Sequence, residues 1–412
     1  MRLLVTNIKT LAGIADEGVL RLQGAEMKSL RTLSDAWFLI EDGKFSAFGR
    51  MQDMPSCGFS VDETVDAQGG TVLPSWCDPH THIVYAGSRE GEFVDKIMGL
   101  SYAEIARRGG GILNSADLLH TLSEDELYRQ ALRRAQEIML KGTGCVEIKS
   151  GYGLNTADEM KMLRVIQRLK ESVPMRVVST FLGAHAVGRQ YGHDEYVNLI
   201  ISEMLPEVGR ERLADYVDVF CDEGFFTPED TDRILEAAAR WGLKPKIHVD
   251  ELAAMGGLPV AVKHNALSVD HLENMPESEF AVLKDSQTMP TVLPGTSFFL
   301  NMPYAPARKM VDAGLGVAVA SDYNPGSTPS GDMKFVVSLA CIKMRLLPQE
   351  AINAATLNAA YAMGLSGGYG SITPGKAANF FITEPIPSVN YIPYAYTSPI
   401  ISKVFISGAE LH

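Results

Sequence analysis

The stretch Asp78-Pro79-His80-Thr81-His82 places two histidines two positions apart at the end of an apolar run. That run, Thr71 to Cys77, has the composition of a short buried strand. Because side chains on a strand return to the same face at every second residue, we expect His80 and His82 to lie side by side. Two adjacent imidazoles at a strand end make half of a metal site, although two unrelated surface histidines would give the same pattern.

Composition and charge narrow the class of protein. The chain has 412 residues, of which 46% are apolar and 21% charged, and its net charge is −13 with no basic block. These values fit a folded enzyme with room for a large barrel and a small extra domain, and they argue against nucleic acid as a partner. The acidic balance also means that a site for an anionic substrate needs a local cation.

Cysteine usage and hydropathy bear on location. The cysteines are five, an odd number, and they show no paired spacing, which favours reduced thiols in the cytoplasm. They are Cys57, Cys77, Cys145, Cys221 and Cys341. No stretch reaches the ~20 apolar residues of a membrane helix, and the N-terminus lacks a signal-peptide pattern. We therefore expect a cytoplasmic protein that does not associate with membranes.

Short apolar runs alternate with helical stretches from residue 71 onward. After the run that ends at His80, the candidate strands are Gly144–Lys149, Arg176–Ala184, Tyr216–Cys221, Pro245–Val249, Ala266–Asp270, Met289–Leu293 and Gly316–Ala320. The helix-like segments between them include Glu124–Lys141, Thr156–Glu171, Thr227–Trp241 and Leu258–Lys263. Eight strands, each followed by a helix, predict an α/β fold, a TIM-like (β/α)8 barrel with catalytic groups at the C-terminal strand ends.

Both ends of the chain read as strands and turns instead. The N-terminal candidates are Leu3–Ile8, Val19–Gln23, Trp37–Glu41 and a turn at Glu41–Lys44, and the C-terminal ones are Asn379–Thr383 and Ile401–Ser407. Neither piece is large enough to fold alone. We predict that residues 1–66 and 370–412 form a small β-sandwich domain beside a barrel domain of residues 67–369.

Histidines gather at the predicted strand ends. Five of the nine, namely His80, His82, His185, His248 and His271, fall there, as one active-site rim would require. We assign His80, His82, His248 and Asp322 as metal ligands; the alternative for Asp322 is a helix N-cap or a turn residue before Asn324-Pro325-Gly326. Three imidazoles and one carboxylate suit zinc or iron, which lowers the pKa of a bound water toward ~7 and polarises a carbonyl.

Further polar residues at the strand ends suggest proton transfer. Glu251, three residues after His248, could carry protons between water and a leaving nitrogen, or could be a solvated loop carboxylate. His271 could orient the water or brace an acid, and His185 could polarise a substrate oxygen. A lysine that could bridge a second metal would stand at the end of the fourth candidate strand, Tyr216–Cys221. Lys149 instead ends the second candidate strand, Gly144–Lys149. We therefore expect one metal ion.

These residues resemble the amidohydrolase superfamily. The matching segments are Pro79–His82, Ala86–Phe93, Arg108–Ile112, Lys149–Leu154, Phe181–His185, Ser321–Ser327 and Thr373–Ala377. Within the superfamily, the resemblance is to the enzymes of histidine degradation that open a cyclic amide, 4-imidazolone-5-propanoate, to N-formimidoyl-L-glutamate. It implies a metal-dependent barrel with a terminal β domain, a zinc or iron cofactor and a homodimer.

The resemblance also implies residue roles. Arg89 matches the anchor of the propanoate carboxylate, and Tyr152, His185, Asn324, Gly326 and Ser327 match positions that contact substrate or product. A metal-activated water attacks the ring carbonyl, Glu251 transfers the proton, and His185 or His271 steadies the oxyanion. Ala254 stands where family members carry a polar side chain. The alternatives are a purine or pyrimidine deaminase of the same superfamily and a non-catalytic barrel scaffold.

Overall fold

A computed structural model describes residues 1–55, 59–100, 104, 108 and 110–412 of this chain. Two features of the sequence analysis, Cys57 and Gly109 of the Arg108–Ile112 segment, lie outside the described residues.

The N-terminal segment forms five strands of a mixed sheet. They are β1 (Arg2–Ile14), β2 (Arg31–Glu41), β3 (Lys44–Arg50), β4 (Glu63–Asp66) and β5 (Thr71–Pro74). Asp42 and Gly43, with φ of 50° and 75°, make the predicted tight turn between β2 and β3. The predicted strand Val19–Gln23 is wrong. The N–H and C=O of Leu22 bond to the side chain of Asn358 rather than to a neighbouring strand.

A parallel sheet occupies the middle of the chain. Its strands are β6 (Trp76–Asp78), β7 (Thr143–Lys149), β8 (Arg176–Ala184), β9 (Tyr216–Cys221), β10 (Lys244–Pro245), β11 (Ile247–Val249), β12 (Ser268–His271), β13 (Met289–Val292) and β14 (Ala318–Val319). The order β6-β7-β8-β9-β11-β12-β13-β14 follows the chain, and the short β10 pairs with β9. A parallel bridge between Thr81 and Tyr323 joins the two ends of this order, so the predicted (β/α)8 barrel is confirmed.

Helices surround the barrel. The α-helices of the described residues are α1 (Glu90–Ile97), α2 (Ile112–Thr121), α3 (Glu124–Leu140), α4 (Thr156–Ser172), α5 (His193–Leu199), α6 (Leu205–Glu211), α7 (Pro228–Ala239), α8 (Gly257–Lys263), α9 (Phe280–Lys284), α10 (Pro294–Leu300), α11 (Ala307–Asp312), α12 (Met333–Met344), α13 (Pro348–Ala354), α14 (Leu357–Ala362) and α15 (Tyr391–Tyr394). Side-chain caps fix the starts of the longer ones: Ser123 accepts a bond from the Glu126 N–H, and Asn155 from the Asp158 N–H. Among the described residues, no helix has the length and apolar character needed to cross a bilayer.

The C-terminal strands complete the terminal sheet. They are β15 (Phe380–Thr383), β16 (Ile401–Ile406) and β17 (Ala409–Glu410), and the order is β17-β16-β15-β5-β1-β2-β3, with β4 beside β1. The sheet has its own apolar core, in which the rings of Phe380 and Phe405 stack with centroids 4.5 Å apart. The expectation that both termini build one β unit is thus confirmed.

The run Thr71–Cys77 divides between the two sheets, whereas the sequence predicts one strand. The N–H of Ser75 still bonds to the carbonyl of Asn379, the residue before β15, so the pairing with the terminal sheet extends to Ser75. The N–H of Trp76 then bonds to Gly142 and begins the barrel. The domain limits at residues 66/67 and 369/370 stay a prediction. β5 lies inside the predicted barrel range yet pairs with β1 and β15.

Candidate active site

The seam that closes the barrel brings the first and eighth strand ends together. The Asp322 N–H donates to the His80 carbonyl at 3.0 Å, and the His82 N–H donates to the Tyr323 carbonyl at 2.9 Å. As a result, Asp322 Oδ1 lies 3.6 Å from Nε2 of both His80 and His82. Asp322 has a φ of +53°, a strained conformation for a residue with a side chain and one that is typical of functional sites.

His248, from β11, completes a cluster of three imidazoles. One ring nitrogen from each of His80, His82 and His248 lies within 4.8 Å of the others, and all three residues are buried. The rings of His80 and His248 are 4.4 Å apart between centroids. The four residues that the sequence assigns as metal ligands therefore lie together.

Two buried carboxylates orient these rings. Asp270 Oδ2 lies 2.7 Å from His80 Nδ1, and Asp218 Oδ2 lies 2.9 Å from His248 Nδ1. A proton held on Nδ1 leaves the Nε2 lone pair for a metal. Burial lowers the pKa of His80 and of His82 well below the usual value, which favours the neutral form that binds metals. Three imidazoles with one carboxylate fit a zinc or iron ion.

A layer of buried charges lies beneath the cluster. Lys149 Nζ is 2.6 Å from Glu147 and 2.8 Å from Asp218, and Lys246 Nζ bonds to Glu147 and to the Pro79 carbonyl. Burial alone would lower the pKa of Lys149, but the carboxylates of Asp218 and Glu147 outweigh it and raise that pKa. Lys149 is thus held as a cation that balances the carboxylates behind the histidines.

The loop after β14 holds Asp322 in place. Asp322 Oδ2 accepts hydrogen bonds from the hydroxyls of Thr296 at 2.6 Å and Ser327 at 3.0 Å, which leaves Oδ1 facing the histidines. Asn324 closes the loop on itself, because its Oδ1 accepts from the N–H groups of Gly326 and Ser327. The predicted substrate residues Asn324, Gly326 and Ser327 therefore form one rigid turn.

Glu251 and His271 lie beside the cluster. His271 Nε2 is 3.5 Å from Glu251 Oε2, and His271 Nδ1 is 3.4 Å from Glu273 Oε2. Burial raises the pKa of Glu251 to about 8. Burial alone would lower the pKa of His271, but Glu251 and Glu273 outweigh it and raise that pKa well above its usual value. The site therefore contains a carboxyl poised near neutral pH and an imidazole that favours its protonated form.

Asp222, at the end of β9, positions the loop that carries Glu251. Its Oδ2 accepts from the N–H groups of Glu251 and Leu252 at 2.8 and 3.0 Å. Its Oδ1 accepts from those of Glu223 and Ala253 at 2.7 and 2.9 Å. Four backbone donors on one buried carboxylate fix the loop relative to the neighbouring strand.

A cavity of about 520 Å³ opens above the cluster. Its wall includes the predicted residues His82, Arg89, Tyr152, His185, His248, Glu251, His271, Asp322, Asn324, Gly326 and Ser327. His80 lies beneath it, fully buried. His185 stacks on His82 with ring centroids 5.3 Å apart, and burial lowers the pKa of His185 to about 3, so its imidazole is neutral.

Arg89 is held in the cavity wall by a neighbouring acid. Its Nε and Nη2 donate to Glu92 Oε2 at 2.9 and 2.6 Å. Glu92 Oε1 in turn accepts from the Gly111 N–H and the Asn114 amide. The guanidinium is therefore oriented before any ligand arrives.

Comparison with known proteins identifies the family. Over 99% of both chains, the sequence is 56% identical to an imidazolonepropionase of Christiangramia forsetii and 53% identical to one of Flavobacterium psychrophilum. It is also 42% identical to an imidazolonepropionase of Geobacillus kaustophilus, over 96% of this chain and 94% of that one. The chain belongs to the imidazolonepropionase family.

More distant matches agree on the fold. Residues 224–411 match the amidohydrolase family. A guanine deaminase from C. acetobutylicum with bound guanine superposes with a TM-score of 0.73 at 14% identity, and each chain is covered in full. An atrazine chlorohydrolase from Arthrobacter aurescens complexed with zinc gives 0.73 at 18% identity, with 99% and 95% covered. At such identities these structures show the fold alone, so they give the deaminase alternative no support beyond architecture.

Sequence reasoning missed the residues that support the site. Asp218, Asp270, Lys246, Glu273, Asp222 and Glu92 all lie in or next to recognisable elements, but spacing does not reveal which buried carboxylate faces which imidazole. One signal was available: Asp218 and Asp270 are acids inside apolar strands, and buried acids need a partner. Three other histidines bond elsewhere: His120 to the Gly153 carbonyl, His193 to Asp230 and His264 to Asp232.

Proposed function

We propose that this protein hydrolyses 4-imidazolone-5-propanoate to N-formimidoyl-L-glutamate in histidine degradation. One observation carries the proposal: a single cavity has a metal-binding cluster at its floor and an oriented guanidinium in its wall. Those two features match a substrate with a cyclic amide and a carboxylate arm. The full-length relatives are named imidazolonepropionase, which agrees with this substrate.

One ion, zinc or iron, would be held by His80, His82, His248 and Asp322. When bound, such an ion lowers the pKa of water and polarises a carbonyl. The choice of a single ion is supported by Lys149, which is buried and engaged with Glu147 and Asp218.

The protein's own groups move the protons. Glu251 accepts a proton from the water that attacks the ring carbonyl carbon. It then delivers that proton to the ring nitrogen as the carbon–nitrogen bond breaks, which leaves a carboxylate and a formimidoyl group. A pKa near 8 suits a group that must both take and give a proton. Protonated His271 donates to the oxyanion, and Glu273 holds the ring in place from its other nitrogen.

The carboxylate arm binds at Arg89. Glu92 takes the Nε and one Nη2 donor of the guanidinium, so the Nη1 end is directed toward Gly326 and the cavity. Tyr152 and His185 border the space between this cation and the histidine cluster, where the ring would lie. The homodimer and the cytoplasmic location stay predictions.

The test is the ultraviolet absorbance of 4-imidazolone-5-propanoate during incubation with the purified protein. We expect rapid loss of substrate, abolition by a chelator, recovery with added zinc or iron, and a large drop in kcat for Glu251→Gln. Glu223→Gln, an exposed neighbour, is the matched control and should retain activity. Decay no faster than in a buffer blank would refute the assignment.

A further inference from the structure

Two lysine or arginine side chains line the described part of the cavity, Arg89 and Lys96. Both approach the backbone of Gly326. A Cβ on Gly326 would lie 2.1 Å from Arg89 Nη1, and Lys96 Nζ donates to the Gly326 carbonyl at 2.8 Å. The two cations therefore border the same part of the wall.

Their charges are compensated differently. Arg89 forms an ion pair with Glu92, so together they contribute almost no net charge. Lys96, by contrast, forms no ion pair with any carboxylate of the described residues. Across Arg89, Glu92 and Lys96, the net charge of +1 therefore depends on the ammonium of Lys96.

The surroundings of Lys96 hold its ammonium at the cavity. The residue is half-buried near the end of α1, and its Nζ lies 5.5 Å from the centroid of the Phe299 ring. The bond to Gly326 uses one of the three ammonium donors, and two are left for a ligand. Burial and the charge of Arg89 lower the pKa of Lys96 to about 8, so the cation predominates at pH 7.

We propose that Lys96 is a specificity-determining residue that binds the carboxylate arm of the substrate together with Arg89. Arg89 supplies directed donors whose charge Glu92 offsets, and Lys96 supplies the net positive charge that selects an anion. This inference rests on the proposed function. It adds a residue to the substrate site and explains how an acidic protein attracts an anionic substrate.

A different role for Lys96 would be purely structural, as a strap that holds α1 to the loop after β14 through the Gly326 carbonyl. The two roles differ in one respect. A strap would affect every substrate alike, whereas a charge contact would affect only substrates that carry a carboxylate.

The experiment measures kcat and KM for the propanoate and for its neutral propanamide analogue. The variants are Lys96→Met, Lys96→Arg and, as a matched control at an exposed lysine outside the cavity, Lys284→Met. For Lys96→Met we expect KM for the propanoate to rise about 10- to 100-fold, as for loss of a charged hydrogen bond, with kcat nearly unchanged. KM for the propanamide should stay at the wild-type value, and Lys96→Arg should stay close to wild type with both substrates.

Two results would overturn the inference alone: an unchanged KM for the propanoate in Lys96→Met, or an equal rise in KM for both substrates. Failure of the proposed function looks different, because the wild-type protein itself would then consume neither substrate faster than buffer. That outcome would overturn both proposals. Melting temperatures of the variants would show whether each one is folded.

Discussion

At Gly326 the absence of a side chain makes room for the Arg89 guanidinium. We expect Gly326→Ala to displace that guanidinium, because the new Cβ would lie 2.1 Å from Nη1. The displaced atoms are the far end of a flexible side chain, so stability should change little. KM for the propanoate should rise at least about tenfold, consistent with a weakened charged hydrogen bond.

Gly91→Ala is the matched control for this substitution, because no atom lies within 4 Å of the position of its added Cβ. Steady-state kinetics and thermal melting of both variants provide the check. A wild-type KM for the Gly326→Ala variant would show that Arg89 does not bind the substrate from its present position.

The proposed charge contact of Lys96 also predicts that substrate binding depends on pH. Its pKa is lowered to about 8 by burial and by Arg89, while Glu92 opposes the shift. Below pH 8 the ammonium is charged and attracts the carboxylate; above pH 8 the charge is lost, so KM should rise between pH 7 and 9. Because a guanidinium stays protonated in this range, Lys96→Arg should show a flatter KM profile.

Glu251 has a pKa of about 8 as well. The pH profile of KM for the wild-type protein alone therefore does not separate the effect of Lys96 from that of Glu251. The comparison of wild type with Lys96→Arg does so, since Glu251 is present in both. Identical KM profiles for the two proteins would contradict the assigned role of Lys96.

Single residues differ in how far the sequence reveals them. His80 and His82 are predictable because a strand repeats every second residue, and Glu251 because it follows His248 at a strand end. Glu92 and Lys96 are not, since their roles depend on how α1 meets the loop at Gly326, a contact between residues 230 positions apart. Local spacing contains no information about such a contact.

At the scale of elements, Asp222 joins the end of β9 to the loop after β11. In Asp222→Asn, an NH2 group replaces one of the two carboxylate oxygens that accept hydrogen bonds from the backbone of this loop. Because an NH2 group cannot accept from an N–H, we expect hydrogen bonds to be lost and the Glu251 loop to loosen. kcat should fall by about 10- to 100-fold, because a small displacement of a proton-transfer group is costly. KM should change little, since Arg89 and Lys96 lie on other elements.

The control for Asp222→Asn is Glu223→Gln, whose side chain is exposed. The pH profile of kcat is the decisive readout, because general destabilisation would lower the active fraction, and with it the apparent kcat, without shifting that profile. A variant with wild-type kcat and an unshifted profile would show that Asp222 does not position Glu251.

Most barrel strands can be predicted from apolar runs, and β8 and β9 begin and end where the sequence indicates. Thr71–Cys77 is an exception because one continuous apolar run serves two sheets. The change of sheet is set by long-range bonds: the Ser75 N–H bonds to Asn379 in the terminal sheet, and the next N–H, that of Trp76, bonds to Gly142 in the barrel. Val19–Gln23 fails for a similar reason, since its backbone partner is a side chain of α14.

At the scale of the whole molecule, the terminal sheet closes through contacts between the two ends of the chain. Phe405 is 1% exposed and packs on Phe380, within the same core as Phe38. We expect Phe405→Ala to lower the free energy of unfolding by about 3–5 kcal/mol, as for other buried phenylalanines. kcat at 25 °C should stay unchanged, because none of these rings lines the cavity.

Tyr394→Ala, at a site that is 78% exposed, is the control for loss of an aromatic ring. Denaturant unfolding followed by fluorescence measures the difference. Equal stability of the two variants would show that the terminal core does not depend on its C-terminal strands.

The barrel itself is predictable from the alternation of strands and helices, and so is the rim on which the histidines lie. The seam that sets Asp322 beside His80 and His82 follows from that prediction, because closure joins strands one and eight. The layer of buried lysines and acids below the site does not follow. Its members look like unrelated charges until the fold brings them together.

We propose that one metal ion is held by His80, His82, His248 and Asp322. The most direct test is a crystal of the purified protein measured at the absorption edges of zinc and iron. We expect one anomalous peak about 2.0–2.2 Å from three imidazole nitrogens and one oxygen of Asp322. A metal-loaded crystal with no peak at this site, or with its peak elsewhere, would contradict it.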